Sequence, residues 1–232
     1  MKVGIMQPYF FPYLGYWQLI NAVDKYVIFD DVNYIKRGWI NRNRILYNGE
    51  IRYLNVYLKG VSQNKLINEI EIGDQEKNKN NLTIIHHAYN KAPYFKDFYP
   101  VVEAIINQNA TNVADYNGIL LNNICEYLGI KTEVVRSSQI DKDNSLRGQD
   151  KILDICKRLN ATEYYNAIGG RDLYDNIRFR SDGIDLFFLK TDEICYHQFD
   201  RKFEPNLSII DVLMFNSVEE TRKLLDRYQL VK

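Results

Sequence analysis

Cysteine is scarce in this chain: Cys125, Cys156 and Cys195 are three residues among 232, far apart in sequence. Without a CxxC pair they indicate neither a zinc knuckle nor a disulfide framework, and each is expected to be a small core residue. Net charge is absent as well. Lys plus Arg equals Asp plus Glu at 30 each, so no global field draws the protein to nucleic acid or to an anionic membrane. No run approaches the ~20 apolar residues of a membrane span. The first residues, MKVGIMQPYFF, lack a sustained apolar core and a small-residue cleavage site, so cytoplasmic placement is expected. Low-complexity tracts and internal repeats are also missing. The length suits one α/β domain over 1–232, with a helical subregion at about 75–128.

Tyrosine, in contrast, is abundant, at 18 residues. Its ring packs as an apolar plate while its hydroxyl seeks a partner, which suits a polar cavity for a sugar or nucleotide; a compositional bias that also enriches Asn, Ile and Lys accounts for it equally. Residues 7–43 concentrate this chemistry: QPYFFPYLGYWQLINAVDKYVIFDDVNYIKRGWINRN. Rings with hydroxyls, paired carboxylates and guanidinium groups can together hold a ring-bearing anionic ligand.

The order of elements places these groups. Lys2 to Met6 reads as a strand, Leu14 to Asn21 as a short helix, and Lys25 to Phe29 as a buried strand. That βαβ unit predicts a parallel sheet, whose ligands sit beyond the carboxyl ends of the strands. The Gln7-to-Tyr13 and Asp30-to-Asn43 loops both leave from those ends and are expected to share one cleft. Further on, Ile51 to Leu58, Leu66 to Ile72, Lys131 to Arg136, Glu163 to Ala167 and Ile184 to Leu189 read as strands. Helices are expected over Gln75–Tyr89, Asp97–Asn107, Ala114–Leu128 with Gly129 as its stop, Gly148–Leu159, Asp211–Phe215 and Ser217–Tyr228.

Several residue groups can carry chemistry. Asp30 and Asp31 end a buried strand, where they can hold Mg²⁺, act as a base, or merely cap the strand against Arg42 or Arg44. Tyr34, Lys36, Arg37, Trp39, Asn41, Arg42 and Asn43 offer planar cations, amides and a stacking ring, enough for a diphosphate-sugar; on a solvated turn they would do nothing. Gln7, Tyr9, Phe10 and Tyr13 line the opposing loop. His86 and His87 lie about 100° apart on their helix, so they cannot easily share a metal, but either can act as a base near neutral pH. Ser137 and Ser138, with Arg147, can hold phosphates or form a cap. Gly169 and Gly170 allow close approach after a strand, and Arg171 and Tyr174 follow on a loop that can contact substrate.

Three segments carry a resemblance. MQPYFFPYLGYWQLI, the DDV-Y-KR-W-NRNRI run and YNAIGGRDLYD resemble the WbqC-like proteins, whose genes often lie in bacterial clusters for O-antigen and related polysaccharides. The resemblance extends from Val3 to about Phe203. The first loop is also similar to the F-x-P-x-x-x-G-H turn of nucleotidylyltransferases and pantoate–amine ligases. Phe10, Pro12 and Gly15 fit it in part, but Gly15 comes one residue early and Tyr16-Trp17 replaces the histidine. These likenesses imply a parallel-sheet, Rossmann-like core with added helices. They also imply an enzyme that transfers or ligates an acyl or aminoacyl group on a nucleotide-linked amino sugar. ATP or an acyl donor, with Mg²⁺, are the cofactor candidates. A Mg-dependent nucleotide-using transferase and a non-catalytic sugar-nucleotide-binding protein are the alternatives, and a homo-oligomer is compatible with each.

Overall fold

Alternation along the central strands sorts their side chains onto two faces. In the computed structural model, residues 1–199 and 202–232 are described. Strand β1 (Lys2–Met6), helix α1 (Leu14–Ala22) and strand β2 (Lys25–Ile28) form the expected βαβ unit, with Val3 opposite Lys25 and Met6 opposite Ile28 in parallel register. Val3, Ile5 and Val27 face one core, while Tyr26 and Ile28 face the other. Successive side chains leave a strand on opposite faces, so a strand buried on both sides needs apolar residues at nearly every position. Gly4 is the exception. A methyl group there would stand 3.3 Å from the Tyr26 ring and 3.6 Å from Leu19 of α1, so glycine admits this close helix-on-sheet packing.

The chain then leaves the sheet for a long excursion. Strands β3 (Arg42–Tyr47) and β4 (Glu50–Asn55) pair as an antiparallel hairpin, and the two-residue strands β5 (Leu58–Lys59) and β6 (Glu71–Ile72) pair with each other. Helices α2 (Gln75–Tyr89), α3 (Phe95–Ile106) and α4 (Val113–Leu128) follow. Gly129 ends α4 at φ +68°, the left-handed conformation that favours glycine. The sheet resumes with β7 (Glu133–Arg136), α5 (Gly148–Arg158), β8 (Glu163–Ala167), α6 (Asn176–Ser181) and β9 (Asp185–Thr191). Helices α7 (Ile209–Phe215) and α8 (Val218–Leu225) and strand β10 (Tyr228–Val231) complete it.

The six-stranded sheet runs β10-β9-β8-β1-β2-β7, parallel throughout except for antiparallel β10. Helices α5 and α6 cover the face of Val3 and Ile5; α1, α4 and α7 cover the other. This is an α/β architecture with a mostly parallel central sheet. From β1 the chain moves to β2 and β7 on one side, then returns to build β8 and β9 on the other. The strand order therefore reverses between β1 and β8, and a crevice opens there beyond the carboxyl ends. No helix among the described residues is long and apolar enough to cross a membrane.

Four local expectations need correction. Leu66 to Ile72 is no strand: residues Ile67–Glu69 form a 3₁₀ turn capped by the Glu69 carboxylate, and only Glu71–Ile72 is extended. Arg42 and Asn43 lie in β3 rather than in a loop. The last helix stops at Leu225, and the residues after it form β10. Cys195 is exposed, whereas Cys125 and Cys156 are buried as expected, with thiols pushed up to about 12 by burial.

Candidate functional site

The QPYFFP segment after β1 is held by an unusual number of bonds to its carbonyls. Tyr16 Oη donates to Gln7 O (2.8 Å) and Asn117 Nδ2 to Pro8 O (2.9 Å). Asn43 Nδ2 donates to both Phe10 O (3.0 Å) and Phe11 O (2.8 Å), Ser208 Oγ to Phe11 O (2.8 Å), and Trp17 Nε1 to Pro12 O (2.9 Å). Phe10 and Phe11 are fully buried, and Phe11 sits at φ +41°, a conformation that is costly for an aromatic residue. The surrounding amides and rings impose it. Phe10 is thus a core residue, and Asn43 acts through the loop it fixes. Replacing Asn43 by Ala leaves the Phe10 carbonyl without a donor, while Phe11 O keeps the Ser208 hydroxyl. We expect a loss of about 1–3 kcal/mol in urea unfolding, the cost of one unsatisfied buried group. A change below 1 kcal/mol would show that the loop is held by other means.

The fixed loop presents Tyr9 and Tyr13 to a pocket of about 510 Å³ at the point where the strand order reverses. Trp39, Asn43 and Arg44 form its second wall; Ala167, Ile168 and Gly169 after β8, and Leu189 to Thr191 at the end of β9, form the third. Burial, joined at Tyr9 by the neighbouring Tyr13, raises the pKa of both tyrosines, so the hydroxyls stay protonated and can donate. Gly15 lets this wall close: a Cβ there would meet the Tyr13 ring at 2.6 Å and Thr191 Oγ1 at 2.7 Å.

Arg44 gives the pocket its charge. Its guanidinium lies 5.6 Å from the Trp39 ring centre, and Nη2 donates to Asn206 O at 3.2 Å. Its Nε is buried and has no acceptor. No carboxylate pairs with it among the described residues. Lys190 supplies a second cation, and among the described residues no Asp, Glu or His lines this pocket. A neighbouring cavity of about 610 Å³ shares Tyr13, Gly15, Thr191 and Asn206 with it and is lined instead by Asp192, Glu193 and Cys195.

Of the residues named from sequence, Tyr9, Tyr13, Trp39, Asn43 and Gly169 come together here. Gln7 is half-buried at the end of β1, outside the pocket lining. The 34–42 segment mostly braces itself: Tyr34 Oη donates to Asn41 Oδ1 (2.7 Å), Asn41 Nδ2 to Val56 O (3.1 Å), and Arg42 to the carbonyls of Gly38 and Arg37. Lys36 and Arg37 are exposed. Gly170 packs against Asn166, Arg171 donates to Lys232 O (2.9 Å), and Tyr174 bonds with Tyr164 and Asn166. On α2, His86 packs edge-on against Phe95 and Tyr99 of α3, and His87 beside it borders a separate hollow with Lys91.

The aspartates form a different site, between β2 and β7. Asp30, almost fully buried, accepts from Ser138 N (2.9 Å) and Ser138 Oγ (2.6 Å). Asp31 Oδ2 receives both Lys142 Nζ (2.8 Å) and Lys151 Nζ (3.0 Å), two ammonium groups with side-chain exposures of 1% and 4%. Burial alone would raise the Asp31 pKa, but the neighbouring Lys142, Ser137 and Lys151 side chains outweigh it and hold the carboxyl below its ordinary value. Ser137 is buried, with its carbonyl bound by Lys142.

Arg44, Lys190, Thr191 and Asn206 were missed as site residues. Arg44 reads as part of a basic run, and no local pattern marks the ends of β9; only the sheet order brings them together.

The comparisons with known proteins agree with the sequence resemblance. The chain matches the WbqC-like protein family over residues 7–223. It is 32% identical over 219 residues to the uncharacterized protein Rv1507c of Mycobacterium tuberculosis, covering 93% of each chain. No solved structure matches it. With the match running through the aromatic loop and four of the six strands of the sheet, the chain belongs to the WbqC-like protein family.

Proposed function

We propose that the switch-point pocket binds a nucleotide-linked sugar, and that the chain acts in surface-polysaccharide assembly as a transferase joining an acyl or aminoacyl group to an amino sugar. The observation that carries the binding half is Arg44, a guanidinium beside the Trp39 ring with a buried, acceptor-less Nε, in a pocket that among the described residues contains a second cation and no carboxylate. A buried donor without an acceptor is costly, and a diphosphate oxygen would satisfy it. Trp39 and Tyr9 supply plates for a base or sugar, and the protonated tyrosine hydroxyls can donate to sugar oxygens. The strand order, numbered within the sheet, is 3-2-1-4-5-6. That order supports a Rossmann-like reading, in which a ligand occupies this crevice. The polysaccharide context rests on the family name, and the acyl-transfer step on analogy with amide-forming ligases.

Asp30 and Asp31 do not fit a Mg²⁺ site: Asp31 Oδ2 already faces two ammonium groups, and both Asp30 oxygens accept from Ser138. No step is assigned to a metal. One observation favours a second reading, binding without turnover: among the described residues the lining holds no Asp, Glu or His to take a proton from an attacking amine. Calorimetry with UDP-glucose tests the binding half. The double variant His86→Ala/His87→Ala is expected to keep the wild-type affinity to within about twofold, since both rings lie on α2 outside the pocket. A loss of binding in that variant, at an unchanged melting temperature, would move the site to α2.

A further inference from the structure

The Asp31 cluster opens onto a small crevice of about 260 Å³, lined by Asp31, Leu66, Ser138, Asn144, Arg147 and Lys151. Its hydrogen-bonding groups are incompletely matched. Lys142 and Lys151 are two buried ammonium groups resting on one oxygen of one carboxylate. Lys142 completes its shell with the carbonyls of Ser137 and Ile140. Lys151 donates to Asp31 Oδ2 and to Asp31 O (2.9 Å) and lies 5.6 Å from the Phe29 ring, which leaves one of its three N–H groups for the crevice. Arg147 uses a single nitrogen, Nη1, on the carbonyls of Asn144 and Leu146. Its other nitrogens have no acceptor among the described residues, and it opens α5 without a side-chain cap. The other acids nearby are already partnered: Asp30 accepts from Ser138, Asp143 from Ser145, Asp150 pairs with Arg178 and Asp154 with Arg158.

On the acceptor side, Asp31 Oδ1 is buried, as is the neighbouring Ser137 hydroxyl, and neither has a hydrogen-bond partner. An ammonium there would be a third cation on a carboxylate that already holds two, so a neutral hydroxyl suits it better. We propose that this crevice binds a small oxyanion, a carboxylate or phosphate group, that carries its own hydroxyl. Lys151 and Arg147 would take the anion, and Asp31 Oδ1 would accept from the hydroxyl. Burying an ammonium is unfavourable unless it is paired, so an incoming anion supplies the counter-charge that a single carboxylate shared by two lysines does not. The crevice lies between β2 and β7, whereas the switch-point pocket lies between β1 and β8. The same sheet edge would then carry two separate anion sites, and this second one does not depend on the nucleotide-sugar reading.

The test is calorimetric titration of the full chain with inorganic phosphate, glycolate and acetate. Arg147→Ala is the main variant, because its side chain is exposed and holds only its own loop; its melting temperature should match wild type. Phosphate and glycolate should bind wild type saturably and bind Arg147→Ala about tenfold more weakly or worse. Acetate, which has no hydroxyl, should bind more weakly than glycolate. Arg44→Ala, in the other pocket, reports whether either ligand binds there instead. No saturable binding of either ligand by wild type would overturn the proposal, and equal affinities for acetate and glycolate would overturn the role of Asp31 Oδ1. Binding that survives Arg147→Ala and disappears in Arg44→Ala would place the ion in the switch-point pocket. That result also ends the proposal, while leaving the nucleotide-sugar reading intact.

Discussion

Replacing Arg44 by Ala should weaken the binding of a nucleotide-linked sugar by about ten- to a hundredfold, the range for one lost charge-assisted hydrogen bond. In the free protein the guanidinium has one carbonyl partner and the Trp39 ring, so its removal should cost little stability. Arg44→Lys separates charge from geometry. Lysine keeps the charge but loses the planar fork and the stack on Trp39, so it should recover only part of the affinity. Binding by calorimetry, alongside thermal melts, reads both effects. Wild-type affinity in the Ala variant would remove Arg44 from the site.

The second large effect concerns folding. Asp31→Asn removes the one carboxylate among the described residues that pairs with the Lys142 and Lys151 ammonium groups and leaves both buried without that counter-ion. Breaking a buried ion pair from one side typically costs about 3–5 kcal/mol, so this variant should be strongly destabilised in urea. Had Asp31 been a strand-end base, the Asn form would melt normally and lose only turnover. The pH dependence has a fixed sign. The folded state holds the Asp31 carboxyl below the ordinary aspartate value of 3.8, so the unfolded chain binds the proton more readily. The stabilisation is fully present above 3.8 and is lost as pH falls through the lower folded value. Wild type should therefore lose stability more steeply below 3.8 than Asp31→Asn, whose side chain does not titrate. Parallel curves for the two proteins would show that Asp31 contributes nothing to the pH dependence.

The sheet was legible because its signals are local. KVGIM and KYVIF are short apolar runs between turn residues, and Gly129 marks the end of α4. The boundaries of β1, α1, β2 and β8 fall within a residue or two of expectation. Strand β10 was not legible, since YQLV is half exposed and gains its identity only by pairing with β9. The site was legible in part. Tyr9, Tyr13 and Trp39 stood out as rings beside polar groups, and the sheet edge was the right place to look. What sequence alone did not separate were the cations of 36–44. Arg42 folds back on the carbonyls of its own loop, whereas Arg44, two residues along β3, reaches the pocket. Strand alternation puts both on one face of β3, so the difference comes from position along the strand: Arg42 lies beside the carbonyl of Gly38, and Arg44 beside Trp39 and Asn206. Of β3 only Arg42 and Asn43 had been placed, in a loop. The aspartates were misleading for a related reason: their partners Lys142, Lys151 and Ser138 lie more than a hundred residues away.

Tryptophan fluorescence tests the central claim most directly, because the chain has two tryptophans in different settings. Trp17 is fully buried and bonded to Pro12 O, while Trp39 lines the pocket beside Arg44. Titration with UDP-glucose should change the emission saturably in wild type. In Trp39→Phe that response should disappear while calorimetry still detects binding. A response that persists in Trp39→Phe, or binding that leaves the wild-type emission unchanged, would contradict a ligand in the switch-point pocket.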